Sequence, residues 1–346
     1  MVKAVHIINA MEVGGVEVGV LSLLKSKLDP NYIVITVKGC DKSIFDSLSK
    51  DEKDRLYICN GYFNVIKELI RLKPKYVISS LWRAHLISSI YKLLFFRVKR
   101  VHFTHNGRFA HILDMLITKF SVFTAYEVFC DCEKTKEWVG NHLNYNGSLV
   151  LPMNVSFTTK IKSLSFFPYS FVYVGRFSIQ KNIEKSLEFI HELKSTGLVV
   201  SFDLYGRDDG TLDDLKQYCN SLSINDVVTF HESLLPTEIE IEMQKYNFYL
   251  QTSTVEGMAI SVFQSIKNGL FPIVTPVGEI QNYTNDGYNA CYIDPNDITG
   301  SASKFLNMLS SENINKLEVG KLVNEQEYQQ FDQIFFDTLK TLSNEH

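Results

Sequence analysis

Residues 252–274 read TSTVEGMAISVFQSIKNGLFPIV. Glu256 and Gly257 stand directly before a segment with helical spacing, and Gly269 ends that segment just before the apolar run 271–274. The order helix, glycine, buried strand is typical of a parallel sheet whose strands are joined by helices. The stretch therefore predicts an α/β fold. It also predicts an anion-binding helix start, because the first amides of a helix have no partner inside it.

The same alternation extends along the whole chain. Short apolar runs rich in β-branched residues alternate with helical stretches, which indicates parallel strands covered on both faces. The predicted strands of the first half are 5–8, 33–37, 76–80, 101–105 and 127–130. Those of the second half are 171–174, 201–205, 227–230, 248–250 and 271–274. We expect two Rossmann-like, doubly wound domains that face each other across a cleft, with ligands beyond the carboxyl ends of the strands.

The length also favours two domains, since the chain has 346 residues and a domain has roughly 150. We place the domains at 1–153 and 169–322, with a linker at 149–169 that contains Pro152 and Pro168. The C-terminal segment 323–346 is expected to pack back on the first domain. Its residues 325–342 have the spacing of an amphipathic helix, with one apolar side formed by Tyr328, Phe331, Ile334, Phe335 and Leu339.

Composition narrows the class of protein. Hydrophobic residues make up 45% and charged residues 21%, which is enough to bury two ordinary cores. The six cysteines show no zinc spacing and are interpreted as free thiols in a reducing compartment. The N-terminus runs straight into a strand without a signal peptide, and no uncharged apolar run reaches the roughly 18 residues of a membrane span. These features predict a cytoplasmic protein.

The net charge of −4 is unevenly distributed. Residues 1–155 carry 21 Lys and Arg against 14 Asp and Glu, a net charge of +7, and the remainder carries −11. Residues 69–113 hold nine basic and no acidic side chains, and Lys92, Arg97, Lys99 and Arg100 alternate there with bulky apolar residues. This pattern predicts contact with an anionic membrane surface or a lipid diphosphate acceptor.

The alternative for this basic stretch is a helix that covers the sheet and leaves its cations in solvent. Leu93, Leu94 and Phe96 are expected to pack partly on the sheet in either case. Nucleic acid is an unfavoured partner, because no stacking platform or recognition motif is interleaved with the cations.

Two further motifs lie at predicted strand ends. Gly14 and Gly15 follow the first strand, with Glu17 just beyond, and their amides could face an anion or simply form a tight turn. Gly175-Arg176-Phe177 follows the first strand of the second domain, and Lys181-Asn182 comes four residues later. An Arg and a Lys at this edge can both reach one diphosphate, and the alternative is a solvated loop with two unrelated cations.

Together these motifs resemble retaining glycosyltransferases of the GT-B fold, the family 4 or group 1 type, which use nucleotide-sugar donors. The resemblance rests on Gly14 to Glu17, on Gly175 to Asn182, and on Glu256-Gly257 followed by Gly269-x2-Pro272-Ile273. It extends from the first strand to about residue 295.

The resemblance implies a role for each matching residue. Arg176 and Lys181 would bind the donor diphosphate, Glu256 would accept hydrogen bonds from the donor sugar, and His105 would lie near the transferred sugar. A satisfied loop histidine is the alternative for His105. Glu17, with the basic residues named above, is expected on the acceptor side. The other residues implied in donor binding are Gly14, Gly15, Gly175, Asn182, Gly257, Met258, Ala259, Ile260 and Gln264.

Two positions depart from the family pattern. A second glutamate that grips the nucleotide ribose is Gln264 here, and Gly-Gly-x-x-Glu reads Gly278-Glu279-Ile280-Gln281-Asn282. An amide offers one acceptor oxygen where a carboxylate offers two, so we expect weaker or altered nucleotide binding. The departures keep open a non-catalytic nucleotide-sugar or glycan-binding protein. A sugar-nucleotide epimerase is a further alternative, but its activity would not explain why Arg176, Lys181 and Glu256 occur at these spacings.

The implied function is retaining transfer of a sugar, from a UDP-sugar by preference, to a glycan or lipid-linked acceptor. The resemblance implies that no metal or cofactor is needed, because Arg176 and Lys181 supply the positive charge. The high Lys, Asn, Ile, Phe and Tyr content suggests a low-GC bacterial source, in which surface polysaccharide assembly is the usual task of the family. The expected location is the cytoplasm or the inner face of the membrane.

Overall fold

The computed structural model describes residues 3–105, 107–155, 169–310, 313, 317–323 and 329–344. The chain divides into two compact units. Unit 1 comprises Met1–Val155 and Tyr328–His346, and unit 2 comprises Ser156–Glu327. Of the predicted linker, residues 156–168 lie outside the described residues, as do residues 325–328 of the predicted final helix.

Unit 1 is built on a seven-stranded parallel sheet. Its strands are β1 (Ala4–Ile8), β2 (Tyr32–Thr36), β3 (Leu56–Ile58), β4 (Tyr76–Ser80), β5 (Lys99–Thr104), β6 (Glu127–Cys130) and β7 (Leu149–Val150). Their order in the sheet is β3-β2-β1-β4-β5-β6-β7, and Val5 lies opposite both Ile33 and Val77. The direction of winding changes between β1 and β4, which is the arrangement of a Rossmann fold.

Helices cover both faces of this sheet, so its central strands are fully buried. The helices of unit 1 are α1 (Gly15–Lys25), α2 (Lys42–Ser47), α3 (Lys50–Asp54), α4 (Tyr62–Leu72), α5 (Trp82–Leu94), α6 (Ile112–Phe123) and α7 (Glu133–Leu143). The spacing of apolar residues predicts helices over 16–28, 63–72 and 83–96, which correspond to α1, α4 and α5. Sequence reasoning missed α6, whose buried side carries the polar Thr118 and Ser121 beside Ile117 and Val122.

The last helix of the chain, α14 (Phe331–Asn344), belongs to unit 1. Phe335 is buried and lies against the rings of His6 and Tyr32, with ring centroids 6.3 Å and 5.8 Å away. The hydroxyl of Tyr76 donates to the carbonyl of Leu342 at 2.8 Å. The C-terminal segment therefore completes the core of the unit that begins the chain.

Unit 2 has a six-stranded parallel sheet of the same winding. Its strands are β8 (Tyr169–Val174), β9 (Val200–Tyr205), β10 (Val228–His231), β11 (Phe248–Gln251), β12 (Phe271–Val274) and β13 (Cys291–Tyr292). The order is β10-β9-β8-β11-β12-β13, with the change of direction between β8 and β11. The helices are α8 (Ile183–Ser195), α9 (Leu212–Ser221), α10 (Pro236–Met243), α11 (Ile260–Lys267), α12 (Ile280–Tyr283) and α13 (Ile298–Met308).

The α/β prediction with two Rossmann-like sheets is confirmed. The strands that sequence reasoning missed are β3, β7 and β13, which have two or three residues each and are too short for a periodic pattern. The helix predicted to reach Phe96 ends at Leu94, where Lys92 Nζ donates to the carbonyls of Phe96 and Val98. Within the described residues, no helix has both the length and the apolar character needed to span a bilayer.

Candidate functional site

The loops that carry the predicted site of unit 2 follow two neighbouring strands. The first, residues 175–182, follows β8, and the second, residues 252–259, follows β11. The sheet changes its direction of winding between these two strands. Ligands of doubly wound sheets bind at the carboxyl edge where the winding reverses, so both loops lie where a ligand is expected.

Hydrogen bonds tie the two loops together. The amide of Thr254 donates to the carbonyl of Gln180 at 2.9 Å, and the side chain of Gln180 donates to the carbonyl of Val255 at 2.7 Å. The hydroxyl of Thr252 donates to the carbonyl of Asn182 at 2.7 Å. Asn182 itself has a left-handed backbone with φ of 49°, which turns the chain from this loop into α8.

This connection places a lysine against a glutamate. Lys181 Nζ lies 2.6 Å from Glu256 Oε1, and the two side chains are only 14% and 9% exposed. The Gln251 side chain at the end of β11 donates to the same carboxylate oxygen at 3.1 Å. Because a charge taken out of water must be paired and hydrogen-bonded, each partner holds the other in place.

Arg176 has a different partner. Its Nη1 lies 3.0 Å from Asp209 Oδ2, and the guanidinium remains about half exposed. Arg207 contacts the other oxygen of Asp209 at 3.3 Å. Sequence reasoning placed Arg176 and Lys181 on one diphosphate, and the structure pairs each of them with a carboxylate of its own.

Sequence reasoning missed Asp209 because Asp208, Asp209 and Gly210 together are typical of a turn. The turn is there: the Asp208 carboxylate accepts from the amides of Gly210, Thr211 and Leu212, and these hydrogen bonds lower its pKa. Asp209 instead turns toward Arg176 because its amide donates to the carbonyl of Phe177 at 2.9 Å.

Gly206 allows the loops after β8 and β9 to touch, and Gly175 leaves room for the hydroxyl of Tyr173. A Cβ on Gly206 would stand 1.9 Å from the carbonyl oxygen of Gly175, and a Cβ on Gly175 would stand 2.6 Å from the hydroxyl of Tyr173. Any side chain at Gly206 would therefore separate the two loops. The predicted motif at Gly175 thus has a packing role that the sequence did not reveal.

The turn that opens α11 is braced from one side. The amide of Glu279 donates to the carbonyl of Gly257 at 3.0 Å, and the hydroxyl of Tyr283 lies 3.1 Å and 3.3 Å from the carbonyls of Met258 and Ala259. Gly278 has φ of +62°, and a Cβ there would stand 2.5 Å from the carbonyl oxygen of Glu256. Ala259 also has a positive φ, 54°, just before Ile260 begins the helix.

Glu279 and Asn282, which depart from the family pattern, are joined by a local hydrogen bond. Asn282 Nδ2 donates to Glu279 Oε1 at 2.9 Å, and Glu279 is buried. These two side chains contact each other on the braced side of the turn.

Gln264 has a partner that the sequence did not identify. Its Nε2 donates to Oε1 of Glu240 at 3.2 Å, and both residues are buried. Glu240 comes from α10, so a carboxylate stands next to position 264 although the residue at that position is an amide. The hydrogen bond uses the nitrogen end of the Gln264 amide, and its oxygen is the end left to accept.

In unit 1 the glycine turn after β1 carries a carboxylate. Gly14 is extended and precedes α1, and Glu17 lies in the first turn of that helix. The Glu17 Oε2 atom is 2.5 Å from where a Cβ on Gly14 would stand. A negative side chain stabilises the start of a helix, and it repels a phosphate that binds at the same place. The exposed Gly15 lies between these two residues.

His105 follows β5 and is buried in a chain of hydrogen bonds. Its Nε2 is 2.8 Å from Ser80 Oγ, which is 2.8 Å from Nε2 of His6, whose Nδ1 is 2.7 Å from the hydroxyl of Tyr32. Asp131 Oδ2 lies 4.0 Å from Nδ1 of His105. Donation from Tyr32 through His6 and Ser80 would leave the His105 ring proton on Nδ1, the nitrogen that faces the Asp131 carboxylate.

Burial lowers the pKa of His105 to about 3, so its ring is neutral at physiological pH. The alternative interpretation, a histidine whose hydrogen bonds are satisfied within the protein, holds for the Nε2 atom, which contacts Ser80. His105 Nδ1 has no hydrogen-bond partner among the described residues. A neutral imidazole at the end of a strand can donate or accept one hydrogen bond, and it cannot act as an acid near pH 7.

A second pair of buried histidines lies beside the first. His85 and His102 stack with ring centroids 3.8 Å apart, and their Nδ1 atoms contact Ser79 and Ser121. Burial holds the pKa values of His6, His85 and His102 well below the usual 6.5, and the nearby Arg100 guanidinium lowers the pKa values of His85 and His102 further.

Three of the four basic residues predicted to face an acceptor or a membrane are held by unit 1 itself. Arg100 is wrong as a surface residue: it is fully buried and donates to Ser121 and Thr124. Lys99 donates to the hydroxyl of Tyr126 and the carbonyl of Leu342, and Lys92 donates to two carbonyls beyond its own helix. Arg97 is exposed.

The apolar residues of this stretch also differ from expectation. Leu93, Leu94 and Phe96 were expected to pack partly on the sheet, and all three are well exposed. Leu93 and Leu94 lie in the last turn of α5, after its last buried residue Tyr91, and Phe96 lies beyond the end of the helix.

We predict that unit 1 unfolds in mild acid. Below pH 6.5 the unfolded chain takes up protons on its histidines that the four buried rings do not, so stability falls by about 1.4 kcal/mol per pH unit for each ring. A domain stability of about 5–15 kcal/mol is therefore progressively lost as the pH falls below 6.5. Both tryptophans, Trp82 and Trp138, lie in unit 1, so intrinsic fluorescence measures this transition.

The matched variants are His85→Gln, which removes one buried ring, and His191→Gln, which removes a ring of unit 2. The first should move the fluorescence midpoint to lower pH, and the second should leave it in place. A midpoint below pH 3 in the wild type would show that the buried rings do not govern acid stability.

Comparison with known proteins gives a match to a sequence family and matches to solved structures. Residues 159–321 match the family model described as glycosyl transferases group 1, a segment of just under half of the chain that lies within unit 2. No curated protein sequence matches the chain. Among the described residues, no group of three or more His, Cys, Asp and Glu side chains is placed to hold a metal ion.

Solved structures of similar fold cover the whole chain. HepE (Alr3699) from Anabaena, in complex with UDP and glucose, is 12% identical with a TM-score of 0.82, and the match covers 99% of this chain and 100% of HepE. Sucrose-phosphate synthase from Thermosynechococcus elongatus is 12% identical with a TM-score of 0.78 and the same coverage. The lipopolysaccharide outer core galactosyltransferase WaaB is 16% identical with a TM-score of 0.64, and 91% of this chain covers 92% of it. The chain thus has the GT-B fold, and its unit 2 carries the group 1 glycosyl transferase sequence pattern.

Proposed function

We propose that the protein is a glycosyltransferase that moves a sugar from a nucleotide-sugar donor to a glycan or lipid-linked acceptor. The observation that carries the proposal is the nearly buried pair of Lys181 and Glu256. It lies where the winding of the unit 2 sheet reverses, inside the segment that matches glycosyl transferases group 1. A cation and a carboxylate at that edge match the two halves of a sugar diphosphate, its phosphates and its hydroxyls.

In the proposed reaction the bond between the anomeric carbon and the diphosphate oxygen breaks, the anomeric carbon forms a bond to the oxygen of an acceptor hydroxyl, and the proton of that hydroxyl passes to the leaving diphosphate. The leaving diphosphate gains negative charge as that bond breaks. Lys181 and the half-exposed Arg176 supply positive charge to stabilise it, which is the electrostatic form of transition-state stabilisation. We further propose that the new bond forms with retention at the anomeric carbon.

The remaining residues position the donor. Glu256 accepts hydrogen bonds from hydroxyls of the donor sugar, and the Gln251 side chain keeps its carboxylate oriented. The braced turn 257–260 offers backbone amides to the phosphates. In unit 1, the neutral His105 is proposed to offer a hydrogen bond to the transferred sugar. Gly14, Gly15 and Glu17 are proposed to line the side of unit 1 that receives donor and acceptor.

A UDP-sugar is the donor we favour. Support comes from HepE, solved with UDP and glucose, and from the pneumococcal O-GlcNAc transferase GtfA, solved with UDP and GlcNAc. We propose that transfer needs no metal ion, since Lys181 and Arg176 bring two positive charges to the same edge of the sheet. A role in bacterial surface polysaccharide synthesis at the inner face of the membrane is the setting we propose for the reaction.

A second candidate is a protein that binds a nucleotide-sugar without transferring the sugar. The observation in its favour is the amide at position 264, whose nitrogen is taken by Glu240. Such a protein would bind UDP-sugars and release no free UDP when an acceptor is supplied.

We predict that Arg176→Ala abolishes most of the transfer activity. Its side chain is about half exposed, so the variant should fold normally while losing charge stabilisation of the leaving diphosphate, with turnover reduced by about 100-fold or more. The measurement is release of the free nucleoside diphosphate from each donor of a panel of UDP-, GDP- and TDP-sugars, with and without acceptor. The anomeric configuration of the product, from its proton NMR coupling, reports retention.

Lys194→Ala is the matched control, because Lys194 forms a surface ion pair with Asp226 in the same unit. It should retain wild-type turnover. Unchanged turnover in Arg176→Ala would refute the assignment of that residue. Donor binding without UDP release in the wild type would favour the non-catalytic candidate.

We also predict that exchanging the amide and the carboxylate between positions 240 and 264 strengthens UDP binding. The double variant Glu240→Gln/Gln264→Glu keeps the 3.2 Å hydrogen bond with its roles exchanged, and it gives position 264 a carboxylate that can accept from both ribose hydroxyls. Affinity should rise by about three- to tenfold, measured by calorimetric titration.

The single variant Gln264→Glu is the control for the exchange. It places two carboxylates against each other in the interior, so its thermal stability should fall, and the double variant should recover it. If the double variant is stable and binds UDP no better than the wild type, position 264 does not contact the nucleotide.

A further inference from the structure

Helix α6 in unit 1 exposes an apolar face. Its solvent-exposed residues include Ile112, Leu113, Leu116, Phe120 and Phe123, and the first and last are 75% and 86% exposed. An exposed large apolar side chain is ordinary when it stands alone. Five on one helix form a continuous patch, which in soluble proteins marks a surface that another body covers.

The five residues share one side of the helix. At 3.6 residues per turn they lie within an arc of about 100°, which is the width of a face that packs against something. The opposite side already faces the interior of unit 1 through Ile117, Ser121 and Val122. Packing within unit 1 therefore accounts for one face of α6 and leaves the apolar one unexplained.

The end of α5 extends this patch. Helices α5 and α6 pack side by side, and each leads from the carboxyl end of one strand to the amino end of the next. Their last turns consequently lie at the same end of the sheet, where Leu93, Leu94 and Phe96 are exposed beyond the buried part of α5. We call these residues, with the five of α6, the α5–α6 apolar surface.

Positive charge borders the surface. Lys119 is exposed about 20° outside the apolar arc of α6, and the guanidinium of Arg97 lies 5.7 Å from the ring centre of Phe96. Asp114 is the sole acidic residue between 69 and 126. It lies about 150° from the centre of the arc, where its carboxylate accepts from the amide of Ala110 and the hydroxyl of Thr118.

We propose that the α5–α6 apolar surface docks unit 1 on a lipid bilayer that contains anionic phospholipids. Exposed phenyl and branched aliphatic side chains enter the boundary between headgroups and acyl chains, while Lys119 and Arg97 meet lipid phosphates. A second copy of the chain fits less well, because a symmetric contact would bring the same cations of both copies together. The surface uses α6, which sequence reasoning overlooked, and it uses neither Arg100 nor Lys99.

The test is co-sedimentation of the full-length protein with vesicles of phosphatidylcholine alone or with 30% phosphatidylglycerol, an assay composition chosen at roughly the charge of a bacterial inner membrane. We expect the wild type to sediment with the anionic vesicles, and to do so less at 0.5 M NaCl because salt at that order of concentration screens surface charge. The double variant Ile112→Glu/Phe123→Glu should reduce the partition coefficient by about tenfold or more. Lys119→Glu should reduce it less, and selectively for anionic vesicles.

Val199→Glu, at an exposed valine of unit 2, is the matched control and should bind vesicles like the wild type. Near-ultraviolet circular dichroism verifies that the variants are folded. Equal sedimentation of the double variant and the wild type would overturn the proposal. A wild type that sediments with neither vesicle type would also overturn it. In that case, dimers in sedimentation velocity that the substitutions Ile112→Glu/Phe123→Glu dissociate would assign the surface to a second copy of the chain. The assay needs no donor, so its outcome is independent of the test of glycosyl transfer.

Discussion

The ion pair between Lys181 and Glu256 is the interaction on which the proposed site depends. Neither charge is stable in a nearly buried position without the other, so the pair fixes the loop after β8 against the loop after β11. The hydrogen bond from the Thr254 amide to the Gln180 carbonyl and the one from the Gln180 side chain to the Val255 carbonyl make the same connection. A donor bound as we propose would exchange part of the Lys181–Glu256 attraction for contacts with its own phosphates and hydroxyls. The carboxyl edge of the sheet therefore holds a positive and a negative side chain in fixed positions without a ligand.

Unit 1 contributes a different kind of chemistry. Its interior holds four neutral histidines, and His105 is the one at a strand end, with Nε2 bound to Ser80. The fixed orientation of this ring comes from a chain of hydrogen bonds that reaches Tyr32, and Tyr32 is in turn covered by Phe335 and Phe336 of α14. The C-terminal helix therefore supports a candidate site residue more than 200 positions earlier in the chain.

Much of the fold could be predicted from the sequence, because long buried strands and one-sided helices leave a periodic pattern. Strands 76–80, 127–130 and 271–274 were predicted with the bounds that the structure gives. The apolar face of α6 escaped prediction because that face is exposed while the buried side carries Thr118 and Ser121, and only the structure shows which side is buried. Arg100 was misplaced on the surface because a buried cation held by neutral oxygens has no sequence signature.

The candidate site was predictable in its motifs and not in its pairings. Spacing along the chain brought Arg176, Lys181 and Glu256 to one sheet edge, whereas the partners Asp209 and Glu240 come from other loops and helices. The most direct measurement of the central claim is calorimetric titration of UDP and of uridine into the wild type and into Lys181→Met. We predict that the wild type binds UDP at least about 100-fold more tightly than uridine, and that the variant loses about tenfold or more of this difference. An undiminished difference in the variant would contradict the assignment of Lys181 to the diphosphate.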